Sequence, residues 1–394
     1  MRPVKGDQGT SRAINRHLIL NHLRRSGPLS RTQLAESIGL SGAAVSFVSA
    51  DLLEERLIVE TVPGLGGRGV PLDINYSGHV AIGVKVMETR LEAVLTDASI
   101  KVLGQARRDF DSPSPEQVAD SIGEVTQALL TGLKVKRRPR FIGVGVALPG
   151  IMDSNTGLVY ECQRFGWRDA PLGAMVTART GSPTWIDNDV NAFAVAERLF
   201  GHGKHVQDFV VLTNGRGVGA ALVLSGAVYH GRNGGAGEIG HTPVVPDGRL
   251  CECGRRGCLE AYVSEPNLLA RYAELNPTNP CAAPEELADR ARAGDKLAQD
   301  LLGQAGAYLG WAIASLLNLL NPELVVVGGE GVRLGDSFLT PLREGVSTRA
   351  IAGSDRDVPI EIVSWGDDAW AQGAAALAVE SFFAFSLEQK AASP

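Results

Sequence analysis

The sequence predicts an α/β protein in which a small, basic, mostly helical head precedes a larger acidic body. Three observations carry this. The first 76 residues hold three short helix patterns followed by a hairpin pattern. Residues 1–70 carry nine Lys and Arg against six Asp and Glu, a net +3 that leaves −9 on the remainder, so the charge is segregated. The rest alternates apolar strand runs with helical patterns, as layered α/β domains do. With 394 residues the chain is long enough for two or three domains with real cores.

In the head, residues 1–11 are polar and expected to be disordered. Ile14, Leu18, Ile19 and Leu23 recur at helical spacing, and Gly27-Pro28 stops that helix. Ser30-Arg31-Thr32-Gln33 reads as a capping box opening a second helix, which Gly39 ends. Ser41 caps a third, with Val45, Val48 and Leu52 facing inward and Gly42, Ala43, Ser46 and Ser49 on the opposite side. Three short helices with a tight Gly-containing turn before the third form the helix-turn-helix pattern, the third helix being the reader of a DNA groove. Leu57–Val62, the turn Pro63–Gly69 and a return strand through Leu72, Ile74 and Tyr76 read as a wing, whose tip carries Arg68 between glycines, suited to a narrow minor groove. Arg31 and Arg56 are phosphate contacts or plain solvated charges.

In the body, Val80–Val86 and Leu91–Thr96 read as paired strands, Pro113–Leu130 as a helix and Phe141–Ala147 as a buried strand. Lys134–Arg140 reads as a solvated turn. Thr184–Ile186 is a short strand delivering Asp187-Asn188-Asp189-Val190-Asn191 to the start of a helix. An Asp capping that helix does not by itself require two carboxylates around an Asn, so these residues are read as a binding site. Asn214–Gly219 is a glycine-rich turn between strands, useful with or without a ligand. Ala305–Leu320 and Asp368–Phe383 read as helices.

Gly237–Glu260 gathers His241 and three of the chain's five Cys, Cys251, Cys253 and Cys258, in the order H-x9-C-x-C-x4-C. Such a set matches Zn²⁺, which takes four tetrahedral ligands from thiolate and imidazole; a closed set is structural rather than catalytic. Gly248, Gly254 and Gly257 let the loop double back. Cys162 and Cys281 stand apart with no assigned role. The absence of a signal-like segment and of any run near 18 apolar residues, together with thiolate chemistry, places the chain in a reducing cytoplasm with no membrane partner.

GE-x-GH followed by C-x-CG-x-x-GC-x-E resembles the zinc signature of the ROK family (repressors, open reading frames and sugar kinases), and the resemblance extends over nearly the whole chain from about residue 13. It implies a two-lobed, actin-like (ribonuclease H-like) sugar-kinase body with a sugar cleft between the lobes. The implied domains are a winged helix-turn-helix head (1–76), a small lobe (77–187, completed by helix 368–384) and a large lobe with the zinc loop (188–367). It also implies sugar-hydroxyl contacts from Asn188, Asp189, Glu238, His241 and Glu260, with Asp189 at the kinases' general-base position and His241 serving both zinc and sugar. Leu148-Pro149-Gly150 matches a loop that closes over the sugar. Gly166–Leu172 resembles the family's W-x-D-x-P-L element, in which Trp167 stacks near the sugar or anchors the lobe.

The chain departs from the kinases at their D-x-G-G-T phosphate cradle, where it reads Lys85-Val86-Met87-Glu88-Thr89, and at G-T-G-x-G, where Arg216 replaces Thr. A carboxylate and a bulky thioether beside a triphosphate repel and clash. In the head, Val70 replaces the second Arg of the family's GRGRP-like wing. The resulting expectation is a transcriptional regulator, a repressor without catalytic residues. It binds operator DNA through Arg31, Ser41, Gly42, Ala43, Ser46 and Arg68, a sugar effector and Zn²⁺, and assembles as a homodimer or homotetramer. The competing expectations are an ATP-dependent sugar kinase with an appended DNA-binding head and a repressor whose body senses a protein partner.

Overall fold

The computed structural model describes residues 8–61, 69–111, 113–134, 137–351, 358–364, 366 and 368–384. They divide into two compact units, one running through Phe200 and resuming at Trp370, the other spanning Gly201–Ala369. The lobe boundary therefore falls after Phe200 rather than at 187/188. The helix following Asn188 packs on the strands that precede it and stays with them.

The first unit opens with α1 (Gln8–Ser26), β1 (Leu29–Ser30), α2 (Arg31–Ile38), α3 (Gly42–Glu54), β2 (Ile58–Glu60) and β3 (Pro71–Ile74). α1 begins within the stretch expected to be disordered, because a helix anchored by buried Ile19, Leu20 and Leu23 extends cheaply through polar residues. The capping box forms as expected: Ser30 Oγ accepts from Gln33 N–H and Gln33 Oε1 accepts from Ser30 N–H. Ser41 Oγ accepts from Ala44 N–H at the start of α3. Val45, Val48 and Leu52 are buried, but Ser49 is buried with them, contrary to expectation. Positions 45, 48, 49 and 52 share one helical face, and the outward side includes Phe47 instead. The two hairpin strands pair antiparallel, Ile58 opposite Ile74, and β1 adds to the other edge of β3. Arg68 and the wing tip lie outside the described residues.

The body of this unit comprises β4 (His79–Val86), β5 (Arg90–Asp97), β6 (Val102–Asp109), α4 (Pro115–Gly132), β7 (Arg140–Leu148), β8 (Ile151–Asp153), β9 (Leu158–Cys162), β10 (Trp167–Ala170), α5 (Leu172–Thr180), β11 (Thr184–Asn188) and α6 (Asp189–Phe200). Its sheet has the order β11-β7-β4-β5-β6, an antiparallel meander continued by parallel strands. Every residue of β4 is buried, the continuous pattern of a strand covered on both faces.

The second unit holds β12 (Phe209–Asn214), β13 (Val218–Leu224), β14 (Ala227–Val228), α7 (Glu260–Val263), α8 (Glu265–Leu275), α9 (Pro284–Arg292), α10 (Lys296–Leu320), β15 (Leu324–Gly328), α11 (Asp336–Arg349) and β16 (Ile360–Ile362). Its sheet order, β14-β13-β12-β15-β16, repeats the topology of the first: meander, then two parallel strands. This duplication is the actin-like pattern. α12 (Ala369–Phe383) packs on the first unit's sheet. A Cβ on Gly83 or Gly145 would lie 1.9 Å from Ala371 O or 1.8 Å from Ala374 O, so the two glycines admit the alanine-rich helix at backbone contact. No helix among the described residues is long and apolar enough to cross a membrane.

Candidate functional site

β11 and α6 bring Asp187, Asn188 and Asp189 to the strand-to-helix junction. Asp187 Oδ1 accepts from Asn188 N–H (2.7 Å) and Asn191 Nδ2 (2.9 Å), which braces the turn. Asn188 Oδ1 accepts from Val190 N–H (2.9 Å) while its Nδ2 donates to Gly150 O (3.3 Å). The capping work thus falls largely on Asn188 and Asp187. Asp189 Oδ1 is near Val190 N–H, and its other oxygen receives Lys85 Nζ in an ion pair. The two side chains are only 16% and 10% exposed. Burial pushes the Asp189 carboxyl up, but the Lys85 charge and hydrogen bond, the Arg164 charge and the Val190 N–H outweigh it, and the net shift is downward. Lys85 Nζ also lies 4.9 Å from the Trp370 ring centroid at the start of α12. This partnership spans β4, α6 and α12, and it is absent from the sequence-based expectation, which read Lys85 only as a lost cradle residue.

The turn after β4 commits backbone polar groups to the start of β5 and the end of β6. Met87 N–H donates to Arg90 O (2.8 Å) and Thr89 O accepts from Phe110 N–H (2.9 Å). Trp167 is buried, packs tilted against Phe165 and donates from Nε1 to Pro113 O (2.5 Å), which makes it a lobe anchor.

In the second unit, His241, Cys251, Cys253 and Cys258 converge, their ligand atoms all within 4.8 Å of one another. Cys251 Sγ is 3.6 Å from His241 Nδ1, and Cys253 Sγ is 3.7 Å from Cys258 Sγ. Tetrahedral Zn²⁺, with Zn–S about 2.3 Å and Zn–N about 2.0–2.1 Å, holds its ligands about 3.5–3.8 Å apart. The four residues fit a metal ion, and the sulfurs are too far apart for a disulfide. Gly254 and Gly257 adopt left-handed φ of 80° and 81° where the loop folds back; Gly248 instead sits against Tyr262 OH without positive φ. The outer nitrogen of His241, Nε2, faces Glu238 Oε2 at 3.8 Å, so one imidazole faces the metal cluster and this carboxylate at once. Glu260, buried at the start of α7, accepts Val218 N–H (2.9 Å).

The glycine-rich turn between β12 and β13 is flanked by acid. Arg216 turns outward to Glu252 (3.2 Å). A Cβ on Gly215 would lie 2.2 Å from Glu330 Oε2, and burial, reinforced by Glu330, pushes the nearby Glu265 carboxyl up to about 7. Carboxylates beside the loop repel a triphosphate.

In the head, Gly42 and Ala43 are exposed and Ser46 half-buried at the start of α3, while Arg31 pairs with Glu60 (3.1 Å). α1 is held at two helix ends of its own unit. Arg24 Nη1 donates to Leu199 O (2.5 Å) at the end of α6, and His17 Nδ1 and Asn21 Nδ2 donate to Phe383 O (both 2.9 Å) at the end of α12. Burial, with Arg25 and Arg198 adding to it, pulls the Arg24 guanidinium down to about 10, still charged at neutral pH.

Fold and sites together define an actin-like two-sheet protein with an added three-helix head and a His/Cys cluster that could hold a metal ion. The sequence model of the ROK family matches residues 81–381, and the chain belongs to that family. It is 28% identical to the xylose repressor of Bacillus spizizenii, over 95% of this chain and 97% of that protein. It is 32% identical to a glucokinase of Halalkalibacterium halodurans, but over only 73% of this chain and 91% of that enzyme. The crystal structure of a ROK family transcriptional regulator, a homolog of the E. coli MLC protein, superposes with a TM-score of 0.83 at 27% identity, covering 95% of this chain and 97% of that one.

Proposed function

We propose that this chain is a sugar-responsive, DNA-binding transcriptional repressor of carbohydrate genes rather than an enzyme, acting in the cytoplasm as a homodimer or homotetramer. The observation that carries this reading is the Lys85–Asp189 ion pair. A general base must be free to take a proton from the attacked hydroxyl; here the carboxylate at that position is held by a cation on the strand that should cradle phosphate. The carboxylates around the second glycine loop support the same reading, as does the repressor relative that matches the chain nearly end to end.

The sugar-hydroxyl contacts of this reading are Asn188, Asp189, Glu238, His241 and Glu260. The sugar competes with Lys85 for Asp189. Because α6 starts at Asp189 and Trp370 lies in the first turn of α12, and the far ends of both helices hold α1, a change at the ion pair reaches the head through two helices. The sugar must bind the DNA-free arrangement more tightly, since equal affinity for both shifts nothing. A bound Zn²⁺ would fix the loop that carries His241, held by that residue and Cys251, Cys253 and Cys258. The head reads DNA through Ser41, Gly42, Ala43 and Ser46 of α3 and its cap, with Arg31 and Arg68 on phosphate or minor groove.

The test is the melting temperature of the purified protein against a monosaccharide panel, with and without MgATP. Ligand at 100 times its Kd stabilises by about 2.7 kcal/mol. One sugar should raise the midpoint with no contribution from MgATP, and Asp189→Asn should abolish that rise. A rise that requires MgATP, with phosphate transferred to the sugar, would establish the kinase reading instead.

A further inference from the structure

The outward face of α3 is chemically unusual for a helix that reads bases. Its sequence, GAAVSFVSADLLE, contains no Arg, Lys, Asn or Gln, the side chains that recognise guanine or adenine through paired hydrogen bonds. The hydroxyls are few: Ser41 Oγ is committed to the cap and Ser49 is buried, which leaves Ser46. What α3 presents to solvent is Ala43, Phe47 and Ala50, with Glu54 further along. Phe47 is 60% exposed, on the one helix of the head whose first turns are otherwise lined by the smallest side chains. Its ring is not idle: the Arg12 guanidinium of α1 stacks over it at 5.2 Å from the centroid while pairing with Asp51 (2.6 Å), one turn further along α3. That stacking holds the ring in place and offsets the acid nearest to it.

We infer that Phe47 is the specificity-determining residue of the head and that it reads thymine through its C5-methyl group in the major groove. This rests on the DNA-binding reading above and deepens it. The major-groove edge of thymine is the one that offers an apolar group, and alanine or aromatic carbon is what matches it. Gly42 and Ala43 let the helix approach the base edges closely enough for the ring to reach. The acidic residues of α3, Asp51 and Glu54, both lie in its second half, so its first half, with the favourable end of the helix dipole, enters the groove. The operator half-site therefore contains thymines at the positions that face Phe47.

The experiment begins with selection of operators from a random-sequence duplex pool by the full-length protein. Each thymine of the selected half-site is then replaced singly by deoxyuridine, which lacks the methyl. Wild type should lose about fourfold in affinity at one or two such positions. Phe47→Ala should bind the thymine and uracil operators alike, and Phe47→Leu should keep part of the difference; the ring is exposed, so circular dichroism should show all three proteins folded. Operators indifferent to methyl removal, or an equal uracil penalty in wild type and Phe47→Ala, would overturn the inference while leaving DNA binding intact. So would a Phe47→Ala protein whose mass by light scattering changes while its methyl discrimination persists, since Phe47 would then be a contact between copies. A pool from which nothing is enriched would overturn the DNA-binding reading itself.

Discussion

Lys85 and Asp189 sit 104 residues apart in sequence and share one buried ion pair. Removing one member of such a pair strands the other charge, at a cost of about 3–5 kcal/mol. Lys85→Met should therefore lower the melting temperature clearly, and its pH dependence identifies the cause. In the wild type the Asp189 carboxyl is depressed, so its contribution is present above the unfolded value near pH 4 and is lost as pH falls through the folded value. In Lys85→Met both Lys85 contributions are gone, and burial, the largest influence, faces only the Arg164 charge and the Val190 N–H, so that carboxyl rises. The contribution then reverses sign, and the variant gains stability from Asp189 as acid protonates it. Parallel pH–stability curves for the two proteins, followed by thermal melts, would show that the pair does not carry this role. None of this was legible in the sequence. Asp189 was recognised from its local setting, but a partner so far along the chain announces itself only as a residue out of place, and Lys85 was noted as a loss rather than as a contact.

Among the elements, those built from neighbouring residues were the readable ones. The capping residues Ser30 and Ser41 act three positions along the chain, and His241, Cys251, Cys253 and Cys258 come from one stretch of eighteen residues, so local spacing points to both the caps and the cluster. Ser49 shows the limit of residue type: its small side chain suits an exposed position, but helical phase turns it inward with Val45, Val48 and Leu52. The edge strand β6 and the short helices α7 and α9 carry little sequence signal, because their patterns are brief or shared with loops. Two predictions belong at this scale. Cys253→Ser should cut bound zinc from one per chain to well below that, lower the melting temperature by roughly 5 °C or more and abolish release of operator by sugar. Metal analysis of the wild type showing no zinc, or sugar release surviving the substitution, would detach the loop from sensing. Gly145→Ala should force α12 off the sheet, costing about 1–3 kcal/mol or more. Because α12 also holds α1, operator binding should change with it; a destabilised protein with unaltered operator binding would show that the helix does not communicate with the head.

For the whole molecule, the repeated sheet topology is the α/β, actin-like fold that the family resemblance implied, and the two compact units divide after Phe200. If sugar weakens operator affinity by some factor, operator must weaken sugar affinity by the same factor. Titrating the sugar identified in the melting panel into free protein and into the protein–operator complex measures both sides; unequal factors would mean that the two ligands do not act on one shared equilibrium. The anchoring of α1 has a further consequence, in the order of synthesis. His17 and the carbonyl that holds it are 366 residues apart, so the head emerges from the ribosome first while its seat on α12 emerges late. At about 5–20 residues per second, the newborn head spends roughly 20 s or more without that seat. For that interval the reading helix belongs to a nascent chain that lacks one of the two anchors through which an effector would act on it.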